Sequence, residues 1–180
     1  GLPMDKLIIL TGAYSLNDYV KGADLLGPTL AGLGSPESDI MVVGFGKGRL
    51  HPSIPYRKLN FGPVSCESIL NRLYNAANVT VLPSRMESFG QVAAESLASG
   101  TPVACFNVSG LKDIVDHEIN GYRADPFSCS DLGRGIRWCL HHSTTDDTFR
   151  KEITGKVAQY FDIRKTAKNI IRVYREILGT

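Results

Sequence analysis

The amino-acid sequence predicts an α/β domain of the doubly wound, Rossmann-like class, with a parallel sheet covered by helices on both faces. Short apolar runs alternate with segments whose apolar residues recur at helical spacing, which is the pattern of βαβ units. The runs are apolar throughout, as expected for strands that are buried on both faces. The length of 180 residues, of which 43% are hydrophobic and 21% charged, suits one globular domain with a sizeable core.

Four short apolar runs are predicted as buried strands. Each has the length of a strand and is bounded by Gly, Pro or Asn, which favour turns. A fifth, weaker strand is predicted near residues 58–61. The four stronger runs are residues 6–10, 40–43, 79–82 and 102–106.

Helices are predicted between these runs and after the last of them, where apolar residues recur on one helical face. The first helix is predicted to stop at Gly34-Ser35-Pro36, and a turn is predicted at Asn120-Gly121. No internal repeat or low-complexity segment interrupts the order, so we expect a single domain over residues 1–180. The predicted helices are residues 21–33, 65–77, 88–99, 130–141, 145–160 and 164–178, with a short helix near residues 111–115.

The composition excludes several classes of function. The net charge is +2 without a block of Lys and Arg, so no nucleic-acid partner is expected. The four cysteines form no C-x-x-C pair, which argues against a zinc site and a redox motif and favours free thiols over a disulfide. There is no secretory leader and no apolar run long enough to span a bilayer, so a cytoplasmic location is expected.

Ligands of a doubly wound sheet bind beyond the carboxyl ends of its strands, and the loop after the third strong run carries the clearest signal. Ser88 followed by Gln91 fits a capping box, so the helix is predicted to begin at Ser88. A helix start has free N–H groups that attract anions, and Gly90 permits a close approach to the backbone. The segment therefore predicts a diphosphate site.

Two carboxylates flank this predicted helix start. Glu87 lies just before it, and Glu95 lies about 10–12 Å along the axis from the cap at roughly 1.5 Å per residue. Each carboxylate could accept hydrogen bonds from one sugar ring of a nucleotide sugar whose diphosphate lies between them. The structural alternatives are a first-turn acid that complements the helix dipole for Glu87 and a solvated helix residue for Glu95.

The segment from Pro83 to Glu95, with seven residues between the two glutamates, resembles the E-x7-E signature of retaining GT-B glycosyltransferases (glycosyl transferases group 1, family 4). The resemblance covers most of residues 6–140 and identifies the chain with the C-terminal, donor-binding domain of that fold. Other segments that match the family pattern are Leu73-Tyr74-Asn75-Ala76-Ala77, Gly100-Thr101-Pro102-Val103, Gly110 to Val115 and Asn120-Gly121-Tyr122.

The resemblance implies two catalytic residues. Glu87 would touch the transferred sugar, and Lys21, in Lys21-Gly22, matches the phosphate-binding lysine of the family. The structural alternative for Lys21 is a surface lysine at the start of a helix.

The resemblance also implies how the rest of the donor is bound. Glu95 would bind the ribose, and Val64 would meet the base through its backbone. The amides of Ser88, Phe89 and Gly90 would contact the sugar and the diphosphate.

One phosphate-binding position departs from the family pattern. The family usually has an arginine six residues before the lysine, where this chain has Ser15. Arg85 and Arg57 are the candidates from the sequence for the missing positive charge.

The function that the resemblance implies is transfer of a hexosyl group from a nucleotide-diphosphate sugar, with retention of configuration, to a glycan or lipid-linked acceptor. The expected setting is cell-surface polysaccharide or lipopolysaccharide synthesis. No D-x-D motif is present, so we expect neither a metal nor another cofactor. The resemblance implies that the acceptor-binding N-terminal domain is absent from this chain. We therefore expect the isolated domain to be nearly inactive, and expect contact with the inner face of the membrane only through the full-length enzyme.

Two alternatives from other classes stay open at the level of the sequence. One is a nucleotide-sugar 2-epimerase of the same architecture, which would release a free epimer instead of a transferred sugar. The other is a non-catalytic nucleotide-binding α/β module. Titration with UDP, GDP and ADP tests the non-catalytic module, because a domain that binds none of the three would favour it over both kinds of enzyme.

Overall fold

The central element is a parallel sheet of six strands in the order β3-β2-β1-β4-β5-β6. The structure is a computed structural model that describes residues 2–34, 39–146 and 148–179. The strands are β1 (Leu7–Ser15), β2 (Ile40–Lys47), β3 (Arg57–Gly62), β4 (Val79–Leu82), β5 (Val103–Phe106) and β6 (Gly121–Ala124).

Six α-helices and one short 3-10 helix (Ser109–Asp113) are found in the described residues. Each helix up to α3 connects two parallel strands, as a βαβ topology requires. The α-helices are α1 (Ala23–Ala31), α2 (Glu67–Ala76), α3 (Gln91–Ala98), α4 (Cys129–Thr145), α5 (Phe149–Tyr160) and α6 (Ile163–Leu178).

Both faces of the sheet are covered by helices. Ile9 of β1 packs with α1 and α4, whereas its neighbour Leu10 packs with α2. In β5, Ala104 faces α1 and α4, and Cys105 faces α3 and α5. Because successive strand residues point to opposite faces, apolar residues at every position mean burial on both sides. The predicted doubly wound α/β class is confirmed.

Two strands are longer than the sequence predicts. Gly12 and Gly44, the glycines that follow the first two apolar runs and favour turns there, lie inside β1 and β2. Gly12 leaves room for a ring, since a Cβ there would lie 2.0 Å from the ring of Phe45, and a Cβ at Gly44 would lie 2.8 Å from Leu50. These glycines therefore serve packing inside a strand instead of ending it.

The sequence does not predict the edge strand β6, because Asn120-Gly121 indicates only a turn. Gly121 pairs with Val103 of β5, and a Cβ at Gly121 would lie 2.2 Å from the carbonyl oxygen of Val103. The predicted first helix begins later than expected, at Ala23. Of its predicted stop signal, Ser35 and Pro36 lie outside the described residues.

The last helix, α6, lies exposed on the surface of the domain. None of its residues is buried. Its apolar side chains recur at helical spacing and are all at least 48% exposed, which makes one uncovered stripe. They are Ile163, Ile170, Ile171, Val173, Tyr174, Ile177 and Leu178.

We predict that a chain ending at Phe161 keeps the stability of the longer one. Because α6 buries no side chain, its removal should change the free energy of unfolding by less than about 1 kcal/mol in a urea titration. A second truncation after Asp146 is the control. It also removes Phe149, Ile153 and Val157 from the core, at about 1.5–3 kcal/mol each, and should not fold. A large loss in the first truncation would show that α6 supports the domain.

Candidate functional site

The candidate site lies where the chain changes direction across the sheet. β1 and β4 are neighbours, and the loop after β1 leads to α1 on one face, whereas the loop after β4 leads to α3 on the other. Loops that diverge from adjacent parallel strands leave a crevice at the carboxyl edge of the sheet. This is the topological switch point at which doubly wound folds bind ligands.

An ion pair bridges this crevice. Lys21, in the loop after β1, places its Nζ 2.6 Å from Oε1 of Glu87, in the loop after β4. Ser84, which is buried, donates a hydrogen bond of 3.2 Å from its Oγ to the same carboxylate oxygen. The side chains of Lys21 and Glu87 are 31% and 15% exposed, so both remain accessible from solvent. The structure thus joins the two residues that the sequence assigned to catalysis.

Gly22 allows the two loops to come so close. Its φ is +71°, in the left-handed region, and a Cβ there would lie 1.8 Å from the carbonyl oxygen of Pro83. Any other residue would push the loop away from the end of β4. Because Lys21 is the preceding residue, this contact sets where its ammonium group lies.

The predicted capping box at Ser88 is wrong. Helix α3 begins at Gln91, its N-cap is Gly90 with φ of +89°, and no described side chain caps it. The side-chain amide of Gln91 instead donates forward from Nε2, at 2.9 Å, to Oε1 of Glu95. The loop before the helix is held by a tertiary bond, in which the Gly110 amide donates to the carbonyl of Glu87 at 2.9 Å.

The free N–H groups of the helix start are therefore shifted along the chain. They belong to the first turn after Gly90, namely Gln91, Val92 and Ala93, while the Ala94 amide already bonds the carbonyl of Gly90. The helix dipole adds to the attraction of these amides for an anion.

Glu95 is held by two donors and is partly buried, so it is more than a solvated helix residue. Its Oε2 accepts a 2.9 Å hydrogen bond from the hydroxyl of Tyr74, which is buried in α2. Burial raises the pKa of Tyr74, so the phenol stays protonated and donates. Since the helix begins at Gln91, Glu95 lies about 7.5 Å along the axis from the cap, less than predicted.

A groove of about 380 Å³ lies between α2 and α3 and is lined by Glu95. Of the other predicted donor-binding residues, Val64 lies in the loop before α2 and packs against the core below it. Ser88 and Phe89 are exposed at the edge of the crevice, and Gly90 is buried.

The two arginines that are candidates to replace the family arginine differ in their distance from the crevice. Arg57 is the first residue of β3 and pairs with Met41, at the amino-terminal end of the sheet, so it does not reach the crevice. Arg85 lies in the loop after β4 and forms a double ion pair with Asp24, with both N–O distances 2.8 Å. Its predicted contact with the diphosphate stays a prediction.

Neither a metal cluster nor a membrane span is found in the part of the chain that the structure describes. There, no group of three or more His, Cys, Asp or Glu side chains is placed to hold a metal ion. No described helix combines the length and apolar character that crossing a membrane requires.

A comparison with known families identifies the family of this chain. The profile of the family described as Glycosyl transferases group 1 matches residues 60–156, more than half of the chain. The chain belongs to this family. The resemblance seen in the sequence is thereby confirmed at the level of the family.

Curated relatives carry glycosyltransferase names. An uncharacterized glycosyltransferase MJ1607 from Methanocaldococcus jannaschii is 34% identical over 120 residues, which are 61% of this chain and 29% of that protein. A D-inositol 3-phosphate glycosyltransferase from Xylanimonas cellulosilytica is 36% identical over 147 residues, 73% of this chain and 34% of that protein. The chain thus spans about a third of the length of these relatives.

Solved structures show the same fold. Sucrose-phosphate synthase from Thermosynechococcus elongatus is 27% identical with a TM-score of 0.82, over 99% of this chain and 47% of that one. Anabaena Alr3699/HepE, in complex with UDP and glucose, is 18% identical with a TM-score of 0.80, over 96% of this chain and 49% of that one. The domain therefore matches one half of the GT-B glycosyltransferase fold.

Three contributors to this candidate site were not identified from the sequence. Ser84 and Tyr74 lie inside the matched motifs, but no local pattern shows that they donate to Glu87 and Glu95. Asp24 lies in the first turn of α1, where an acid is also expected simply to complement the helix dipole.

We predict that Gly22→Ala is far more destabilising than Gly34→Ala. Both glycines have similar positive φ values, +71° and +66°, but a Cβ at Gly34 would meet no described atom within 4 Å. The strained backbone alone should cost about 1–2 kcal/mol at either position. The clash with Pro83 should bring the loss at Gly22 to about 3 kcal/mol or more, measured by chemical denaturation. Equal losses would contradict the close contact of the two loops.

Proposed function

We propose that this chain is the donor-binding domain of a retaining glycosyltransferase, which takes a hexosyl group from a nucleotide-diphosphate sugar. The observation that carries the proposal is the Lys21–Glu87 pair across the switch point, beside the free amides of α3, in a member of the glycosyl transferases group 1. A cation and several N–H groups can bind the diphosphate of a nucleotide sugar, and two carboxylates can bind its two sugar rings.

The diphosphate would lie between Lys21 and the start of α3. Its negative charge grows as the bond to the sugar breaks, and a fixed ammonium and fixed amides stabilise that charge without reorganising. The amides of Ser88, Phe89 and Gly90 would add to those of the first helical turn. With these groups the reaction would need neither a metal ion nor a cofactor besides the donor itself.

The two carboxylates would serve the two rings. When the phosphates take over the ammonium of Lys21, Glu87 is released to accept hydrogen bonds from the transferred sugar, while Ser84 still orients it. Glu95 would accept from the ribose with the lone pairs that Tyr74 and Gln91 leave free.

Val64 would meet the base through its backbone, since it lies in the loop before α2, the helix that forms one wall of the groove lined by Glu95. The Anabaena protein, which has the same fold, was crystallised in complex with UDP-glucose, and this supports a nucleotide sugar as the ligand of the fold.

The acceptor would be bound by a second domain. The chain spans 47–49% of the solved structures named above, so a further domain of similar size is part of those proteins. We propose that the uncovered apolar stripe of α6 packs on such an N-terminal domain. On this basis residues 1–180 bind the donor weakly by themselves and transfer the sugar poorly or not at all.

The proposed acceptor is a glycan or a lipid-linked glycan in cell-surface polysaccharide or lipopolysaccharide synthesis. The full-length enzyme would work in the cytoplasm and meet the inner face of the membrane through its other domain. The donor-binding domain, with a net charge of +2, has no strong electrostatic attraction of its own to an anionic surface.

Calorimetric titration of the chain with UDP, GDP and ADP tests the nucleotide site and identifies the base. We expect one of the three to bind. Lys21→Ala should weaken that diphosphate about tenfold, as for a lost hydrogen bond to a charged group, and its monophosphate much less. Glu95→Gln should weaken both about equally, by roughly fivefold, because both contain the ribose.

Glu152→Gln is the matched control, because Glu152 is an exposed glutamate of α5, away from the crevice. It should leave every affinity unchanged. Failure of all three nucleoside diphosphates to bind would refute the proposed function.

A further inference from the structure

We propose that Arg85 is a positioning residue of the donor site, which clamps the loop of Lys21 to the loop of Glu87 and does not touch the diphosphate itself. The inference rests on the proposed function, since it assumes that Lys21 meets the phosphates.

Arg85 grips the chain on both sides of Lys21. After Lys21, Asp24 takes a bidentate pair, in which Nη1 meets Oδ1 and Nη2 meets Oδ2, both at 2.8 Å. Before Lys21, the carbonyl of Tyr19 accepts from Nη1 at 2.7 Å, and that of Val20 accepts from the Arg85 amide at 2.8 Å. Four bonds from one residue therefore fix the ends of the segment that carries the ammonium group.

The guanidinium is also covered on one face. It stacks 3.8 Å above the centre of the Tyr19 ring, which adds a cation–π contact. The hydrogen bonds with Arg85 lower the pKa of Asp24, and those with Asp24 raise the pKa of Arg85, so the pair stays charged at neutral pH. Bidentate pairing of this kind is the strong and geometrically specific form of an ion pair.

This arrangement argues against a direct contact with phosphate. To reach a diphosphate, the Arg85 side chain would have to give up its two bonds to Asp24, its bond to the carbonyl of Tyr19 and its stack on the Tyr19 ring. Lys21 would give up only its bond to Glu87. The Arg85 side chain is only 20% exposed, whereas Lys21 is 31% exposed and directed into the crevice at Glu87. Lys21 is therefore the cation that can exchange its partner for a phosphate, and Arg85 holds the two loops together.

The clamp matters because a lysine is a flexible ligand. Its ammonium sits on a long stem that loses rotamer freedom when it is fixed, so the backbone that carries it must be held in place. Arg85 lies two residues before Glu87 and three residues beyond β4, so one side chain fixes the spacing between the two partners of the ion pair. Loss of the clamp should spread the positions of Lys21 without removing its charge.

The test is a double-mutant cycle of Arg85 and Lys21. It measures the affinity of each variant for the nucleoside diphosphate that binds in the titration with UDP, GDP and ADP. Arg85→Ala should weaken it about fivefold to tenfold and should weaken the corresponding monophosphate less than about twofold. In the Lys21→Ala background the same change should cost less than about twofold, because Arg85 acts through Lys21.

Asp24→Asn distinguishes a positioning role of Arg85 from a direct phosphate contact, because the two roles predict opposite changes in affinity for the diphosphate. It keeps the shape of the side chain and removes its charge. A positioning role predicts weaker binding of the diphosphate, since the clamp loosens. A direct phosphate contact predicts tighter binding, since Arg85 is released toward the ligand. This variant keeps the test decisive if Arg85→Ala fails to fold, which thermal unfolding of each variant would show.

Arg134→Ala is the matched control, since Arg134 forms an ion pair with Asp131 on α4 and is 65% exposed. It should change the affinity less than about twofold. The inference is overturned if Arg85→Ala binds like the unaltered chain, if it keeps its full effect in the Lys21→Ala background, or if Asp24→Asn tightens binding. Failure of the unaltered chain to bind any nucleoside diphosphate would instead remove the proposed function, and this inference with it.

Discussion

The ion pair of Lys21 and Glu87 is the interaction on which the site depends. It joins the loops that leave β1 and β4 on opposite faces of the sheet, at the one place where those loops have to diverge. An unpaired lysine in this crevice would have no fixed position, and an unpaired carboxylate would repel a phosphate. Pairing fixes both groups in position. In the proposed mechanism the diphosphate replaces Glu87 as the partner of Lys21, while Ser84 and the hydroxyls of the transferred sugar donate to the carboxylate.

The loops and the helix start around this ion pair make it possible. Gly22 removes the Cβ that would separate the loops, and Ser84 orients the carboxylate from below. The first turn of α3 adds N–H groups and the positive end of a helix dipole to the same edge. A parallel sheet gathers these parts because all its strands end on one side, so residues distant in sequence meet at one edge.

The sequence alone predicts the alternation of elements and the family, because buried parallel strands and the spacing of two glutamates are local patterns. It fails where tertiary contacts override local signals. Ser88 fits a capping box, but α3 begins at Gln91, after a loop in which the Gly110 amide donates to the carbonyl of Glu87. The clamp of Arg85 on Asp24 joins residues 61 positions apart, and no local pattern indicates such a pair.

The central claim is that a nucleoside diphosphate binds at the switch point between β1 and β4. An amide nitrogen–proton correlation spectrum of the labelled chain, recorded during titration with UDP, GDP and ADP in turn, tests it most directly. For the nucleotide that binds, we predict that the largest shifts fall on Lys21–Ala23 and Gln91–Ala93. Shifts confined to another edge of the fold, such as the start of α4 at residues 129–131, would contradict the account.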